Sequence, residues 1–128
     1  MKFSREEDLS ILIVSFIAKY KDRVISASDI ALGIGIPLPF TRKIIYKLKN
    51  GGILKGMEGK NGGYILNMDP ALISVKDIIE SISGSISQYE CVNGNCPIED
   101  KCISKTALNK IGNEFINKLS EIKISSMI

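Results

Sequence analysis

The three cysteines of the chain, Cys91, Cys96 and Cys102, fall in one stretch, "CVNGNCPIEDKC", and the chain has no histidine. Thiolates are soft donors that suit zinc, Cu(I) and iron–sulfur clusters. Four residues separate the first pair and five the second, in a segment carrying Gly, Asn, Pro and charge. Such a loop can wrap a metal group from three points. Inert structural cysteines prefer apolar burial, which this polar loop does not offer. An odd cysteine count also argues against a closed disulfide framework. Metal binding or thiol reactivity is therefore expected. A thiolate beside Lys101 and Lys105 would have a lowered pKa and could serve as a cluster-free redox switch. Pro97 directly after Cys96 matches the Cys-Pro step of ferredoxins, so a small iron–sulfur electron-transfer protein is an alternative from another class.

The bulk composition narrows the setting. A chain of 128 residues makes one ordinary domain, and a hydrophobic fraction of 45% is enough for a core. No apolar run reaches the length of a membrane span. The opening "MKFSREED" turns acidic at once and lacks the basic-then-apolar order of a secretory signal. A cytoplasmic protein with reduced thiols is expected. There is no nucleophile–base pair, phosphate loop or histidine, so a conventional enzyme is not expected.

The elements that would position the cysteines can be read from caps and periodicity. In "FSREEDLSILIVSFIAKYKD", Ser4 and Glu7 fit a capping box. Leu9, Leu12, Ile13, Phe16 and Ile17 fall at helical spacing, widened by Ile11 and Val14, which predicts a buried first helix. "SASDIALGIGI" reads as a second, short helix capped by Ser26 and ended by Gly33 and Gly35. Pro37 and Pro39 open a third, "LPFTRKIIYKLKN", whose Phe40, Ile44, Ile45 and Leu48 should face the core. Asn50-Gly51-Gly52 closes it. "ILKGM" and "YIL" flank "EGKNGG" as a hairpin. "SVKDIIESISG" is a further helix capped by Ser74. A last helix from about Ser104 carries Leu108, Ile111, Phe115, Leu119 and Ile122 at spacings of 3, 4, 4 and 3. That is close to a coiled-coil seam, and with no evident partner in the chain it is expected to pack against a second subunit.

The overall net charge of +3 says little, but its distribution says more. From Thr41 to Lys60 the chain carries Arg42, Lys43, Lys47, Lys49, Lys55 and Lys60 against one acid, Glu58. Two helices joined by a tight turn, then a basic hairpin, form a winged helix-turn-helix plan for double-stranded DNA. The exposed start of the third helix, Pro39, Thr41, Arg42, Lys43 and Tyr46, should meet the major groove, with Arg42 suited to guanine. Lys47 and Lys49 suit phosphates. The wing tip, Lys60 and Asn61 with Gly62 and Gly63, would lie along a minor groove or backbone.

The order "MKFS…", "IPLPFTRKIIYKLKNGGIL", "GKNGGYIL", "ISVKDIIESISG", then a three-cysteine loop before a long helix, resembles the winged-helix regulators that include IscR and NsrR. The resemblance covers nearly the whole chain. It implies a homodimeric bacterial transcription regulator, a repressor, in which an iron–sulfur cluster on the three cysteines controls operator binding in response to nitric oxide, redox state or iron–sulfur status. Departures are visible. The first cysteine gap is one residue shorter than the family's, Glu58 stands where IscR-like members carry a DNA-reading arginine, and Arg42 stands where they carry a glutamate. Lys105 occupies the place of their histidine ligand. NsrR-like members use an N-terminal aspartate of the partner subunit, and aligning the first helix puts Asp8 there, with Glu7 a neighbouring candidate and a small-molecule thiol or water a further one. The resemblance at Asp8 to NsrR-like members implies a 4Fe–4S cluster, whereas the residues themselves leave 4Fe–4S and 2Fe–2S open; three cysteines and Asp8 would also satisfy tetrahedral zinc.

The expected protein is mainly α with a small β-hairpin wing, in the α+β class. It divides into a winged helix-turn-helix at 1–83, a cysteine loop at 84–103 and a dimerisation helix with its tail at 104–128.

Overall fold

A computed structural model of the chain describes residues 3–86, 98, 101 and 103–128. Cys91, Cys96 and Cys102 lie outside the described residues.

Helix α1 spans Arg5–Lys19. The Glu7 N–H donates to Ser4 Oγ at 3.1 Å, and the Ser4 N–H donates to Glu7 Oε2 at 2.9 Å, so the expected capping box is closed. Ile13, Val14, Ile17 and Ala18 form its buried stripe, with Leu9, Ile11 and Phe16 packed at the edges. Leu12 departs from the expectation: it is 47% exposed, because it projects on the side of the helix opposite that stripe.

Helix α2 spans Ala27–Ile34, with Ser26 as its cap accepting from the Asp29 N–H at 3.1 Å. Gly35 stops it at φ 81°, a left-handed conformation that a side chain would strain. Helix α3 follows at Leu38–Asn50, with Pro37 as N-cap and Pro39 in its first turn. Ile44, Ile45 and Leu48 are buried against α1 and α2, with Phe40 packed beside them.

Strands β1 (Leu54–Met57) and β2 (Gly63–Leu66) pair antiparallel, from Leu54 opposite Leu66 to Met57 opposite Gly63. This wing is fastened at its far strand. The Ile25 N–H donates to the Tyr64 carbonyl at 3.1 Å, and the Tyr64 N–H donates back to Ile25 at 2.8 Å. Gly63 makes the approach possible, since a Cβ there would lie 2.5 Å from the Ile25 backbone. The wing is thus tied by main chain to the start of α2.

A short 3₁₀ turn at Pro70–Leu72 leads to α4, Val75–Ser83. Ser74 and Asp77 form its capping box at 3.0 and 3.1 Å. Helix α5 spans Lys105–Glu121, and Ser104 precedes it without a side-chain cap bond. The expectation that α5 has no partner within the chain is corrected. Leu119 is buried on Val75 and Ile79 of α4, with Phe115 packed beside them. After α5 the chain turns back. The Val75 N–H donates to the Ile122 carbonyl and the Ile124 N–H to the Ile73 carbonyl, both at 2.9 Å. Ile124 is fully buried in the same core as Ile13, Ile44 and Leu48. The tail of the segment expected as a dimer element therefore closes the winged-helix core. Of the five expected seam residues, Ile111 (51%) and Ile122 (39%) keep large exposure.

Candidate nucleic-acid interface

Helix α3 sets out its basic side chains in two rows. Arg42 and Lys49 are seven residues apart, two turns, and fall on one flank. Both line an open groove of about 320 Å³ between α3, the start of α2 and the wing. Ser26 and Ser28 of the α2 start, Met57 and Glu58 at the end of β1, and Gly63 and Tyr64 of β2 complete it. Lys49 reaches across β1 because Gly56 leaves room; a Cβ at Gly56 would stand 3.3 Å from the Lys49 Nζ. Tyr46, 66% exposed, lies on the same outer side, as does exposed Pro39 in the first turn. Lys55, Lys60 and Asn61 are exposed on the hairpin.

Lys43 and Lys47, four residues apart, fall on the other flank of α3. Both close on one carboxylate. The Lys43 Nζ lies 2.7 Å from Glu6 Oε1 and the Lys47 Nζ 2.6 Å from Glu6 Oε2. These two ammonium groups, Lys43 first, hold the Glu6 carboxyl below its ordinary pKa. Glu6 is a residue the sequence reading missed. It stood among first-turn acids that the helix dipole alone accounts for, and its partners lie in a distant helix.

Thr41 requires correction as a DNA contact. Its side chain is fully buried, and its Oγ1 donates to the Pro37 carbonyl at 3.0 Å. It tightens the first turn of α3 rather than facing a groove. The signal was present, because Thr41 lies four residues before Ile45 and seven before Leu48, on the core face.

Asp8 is exposed on the first turn of α1, and among the described residues nothing bonds to its carboxylate. Glu7 is fully engaged: Oε2 accepts the Ser4 N–H, and Oε1 accepts the Ser83 hydroxyl at 2.6 Å. Ser83 is the last residue of α4, eight positions before Cys91. The first turn of α1 is thus held where the chain departs toward the cysteines. Among the described residues, no three His, Cys, Asp or Glu side chains gather in a way that could hold a metal ion. No helix among them is long and apolar enough to cross a membrane.

Comparison with known proteins agrees with this architecture. The regulator NsrR of Bacillus licheniformis is 28% identical over 132 residues, covering 100% of this chain and 92% of that protein. The structure of T. potens IscR superposes with a TM-score of 0.79 at 24% identity, covering 99% of this chain and 85% of that one. CymR, the global cysteine regulator of B. subtilis, gives 0.78 at 21% identity, covering 99% and 95%. These two likenesses establish the winged-helix fold. The family described as Rrf2, iron-dependent transcriptional regulator, matches residues 3–128. The chain belongs to the Rrf2 family of transcriptional regulators.

Proposed function

We propose that the protein is a repressor that binds operator DNA as a homodimer, and that an iron–sulfur cluster on Cys91, Cys96 and Cys102 controls that binding. The observation that carries the DNA-binding part is the groove between α3 and the wing, lined by Arg42 and Lys49. Arg42 reads base edges there, and Pro39 and Tyr46 flank it. Lys49 and the wing tip, Lys60 and Asn61, hold the phosphate backbone. The buried Thr41 fixes the first turn from which Arg42 projects.

The donor chemistry supports the cofactor: three soft thiolates within twelve residues match what an iron–sulfur cluster takes. Held there, the cluster would supply iron open to nitric oxide or oxygen, and the 4Fe–4S form follows from the resemblance at Asp8 to NsrR-like members. Asp8 is the better fourth ligand, since both Glu7 oxygens already accept hydrogen bonds and the exposed Asp8 carboxylate accepts none among the described residues. A carboxylate oxygen is a harder donor than a thiolate, which makes it the ligand most readily exchanged. Exposed Ile111, with Leu108 three positions before it on α5, and exposed Ile122 offer apolar side chains to the second subunit, with Phe115 and Leu119 as the intrachain anchor. The test is anaerobic purification with iron and sulfide analysis, followed by gel shift against promoter fragments. DNA binding that depends on the cluster supports the reading. A colourless protein that still binds DNA moves the cysteines to a zinc or thiol-switch role.

A further inference from the structure

The Glu6 contact goes beyond this reading and rests on it for the DNA. Two lysines of the helix that meets DNA have their ammonium groups on a single carboxylate from another helix. The geometry resembles that of lysines on a phosphate: two cations converge on the paired oxygens of one anion. Lys43 keeps 58% and Lys47 34% of its side-chain surface exposed, so a duplex lying along α3 can reach both. The pairs are partly exposed, with Glu6 at 23%, and ion pairs that reach water contribute little to stability, so a phosphate can displace the carboxylate. Glu6 itself is held firmly, because the capping box of Ser4 and Glu7 and the Glu7–Ser83 bond fix the turn that carries it.

We propose that Glu6 is a built-in competitor for DNA phosphate, holding Lys43 and Lys47 and so attenuating sequence-independent DNA binding. Arg42 and Lys49, on the other flank, are free of it and carry recognition. Glu6 acts through the lysines and is a positioning residue. Each phosphate contact steepens the dependence of log affinity on log salt by about 0.9. Releasing both lysines therefore adds one or two contacts to every duplex, whatever its sequence.

The test measures the full-length protein on a short random-sequence duplex across a salt series. E6Q is expected to bind about tenfold more tightly at low salt, with a slope steeper by about 1 to 2. E6D keeps the charge and should restore the wild-type slope, which a purely structural defect would not allow. Adding K43Q and K47Q to E6Q should abolish the gain. An E6Q slope equal to wild type, with DNA still bound, overturns the inference and leaves the DNA-binding reading intact. Failure of wild type and E6Q alike to bind any duplex at low salt overturns both.

Discussion

The Lys47 Nζ sits 2.6 Å from Glu6 Oε2, joining α3 to the first turn of α1 across 41 residues of sequence. Next to Glu6, Glu7 accepts from Ser83 at the end of α4. One helical turn therefore touches both the helix assigned to DNA and the point where the chain leaves for the cysteines. Asp8, proposed as the fourth ligand, lies in the same turn. A change in what Asp8 binds would be felt by its neighbours in the same capped turn, which is where a local switch can bias a larger movement.

Arg42 lines the groove at the wing and, among the described residues, has no acidic partner of the kind that holds Lys43. Arg42→Ala should cost about 1–3 kcal/mol of operator binding and relax base preference at one position. Iron content should stay unchanged. Competition binding on operator and random duplexes reads both; equal operator affinity would remove Arg42 from the interface.

Gly63 allows the Ile25 backbone to approach within a distance that a Cβ would violate. Gly63→Ala should break the pair of hydrogen bonds between Ile25 and Tyr64 and displace the wing. A loss of about 1–3 kcal/mol in stability is expected from such overpacking. Urea denaturation measures this, and weaker operator binding should accompany it.

Thr41 donates its buried hydroxyl to Pro37. Thr41→Val keeps the shape and removes the bond, for a loss of about 0.5–1.5 kcal/mol by denaturation. Its effect on DNA affinity should be small compared with that of Arg42→Ala, because the side chain does not reach solvent.

Ile124 is fully buried although only four residues follow it. Ile124→Ala should cost about 2–5 kcal/mol by thermal or urea unfolding, as for a core isoleucine. An effect near zero would mean that the tail does not belong to the winged-helix core.

Much of this architecture was legible because it is local. The caps at Ser4, Ser26 and Ser74 each involve a residue three positions on, and all three are formed. The hairpin follows from two β-prone runs around a glycine-rich turn. What stayed hidden depends on distance or on a competing period. The Glu6 pairs join α1 to α3, and nothing near Glu6 in sequence signals them. The spacing of Leu108 to Ile122 fits a coiled-coil seam, yet Leu119 and Phe115 answer to Val75 and Ile79 of the same chain. Ile124 sits in a single 3₁₀ turn, too short to show any period.

Cys91, Cys96 and Cys102 are proposed to hold an iron–sulfur cluster. The most direct measurement is the absorption spectrum of anaerobically purified protein with iron and acid-labile sulfide determined on the same sample. Broad visible absorption with matching iron and sulfide, lost in Cys96→Ser and altered in Asp8→Ala, is the predicted result. A colourless protein, or one holding zinc without sulfide, would contradict it.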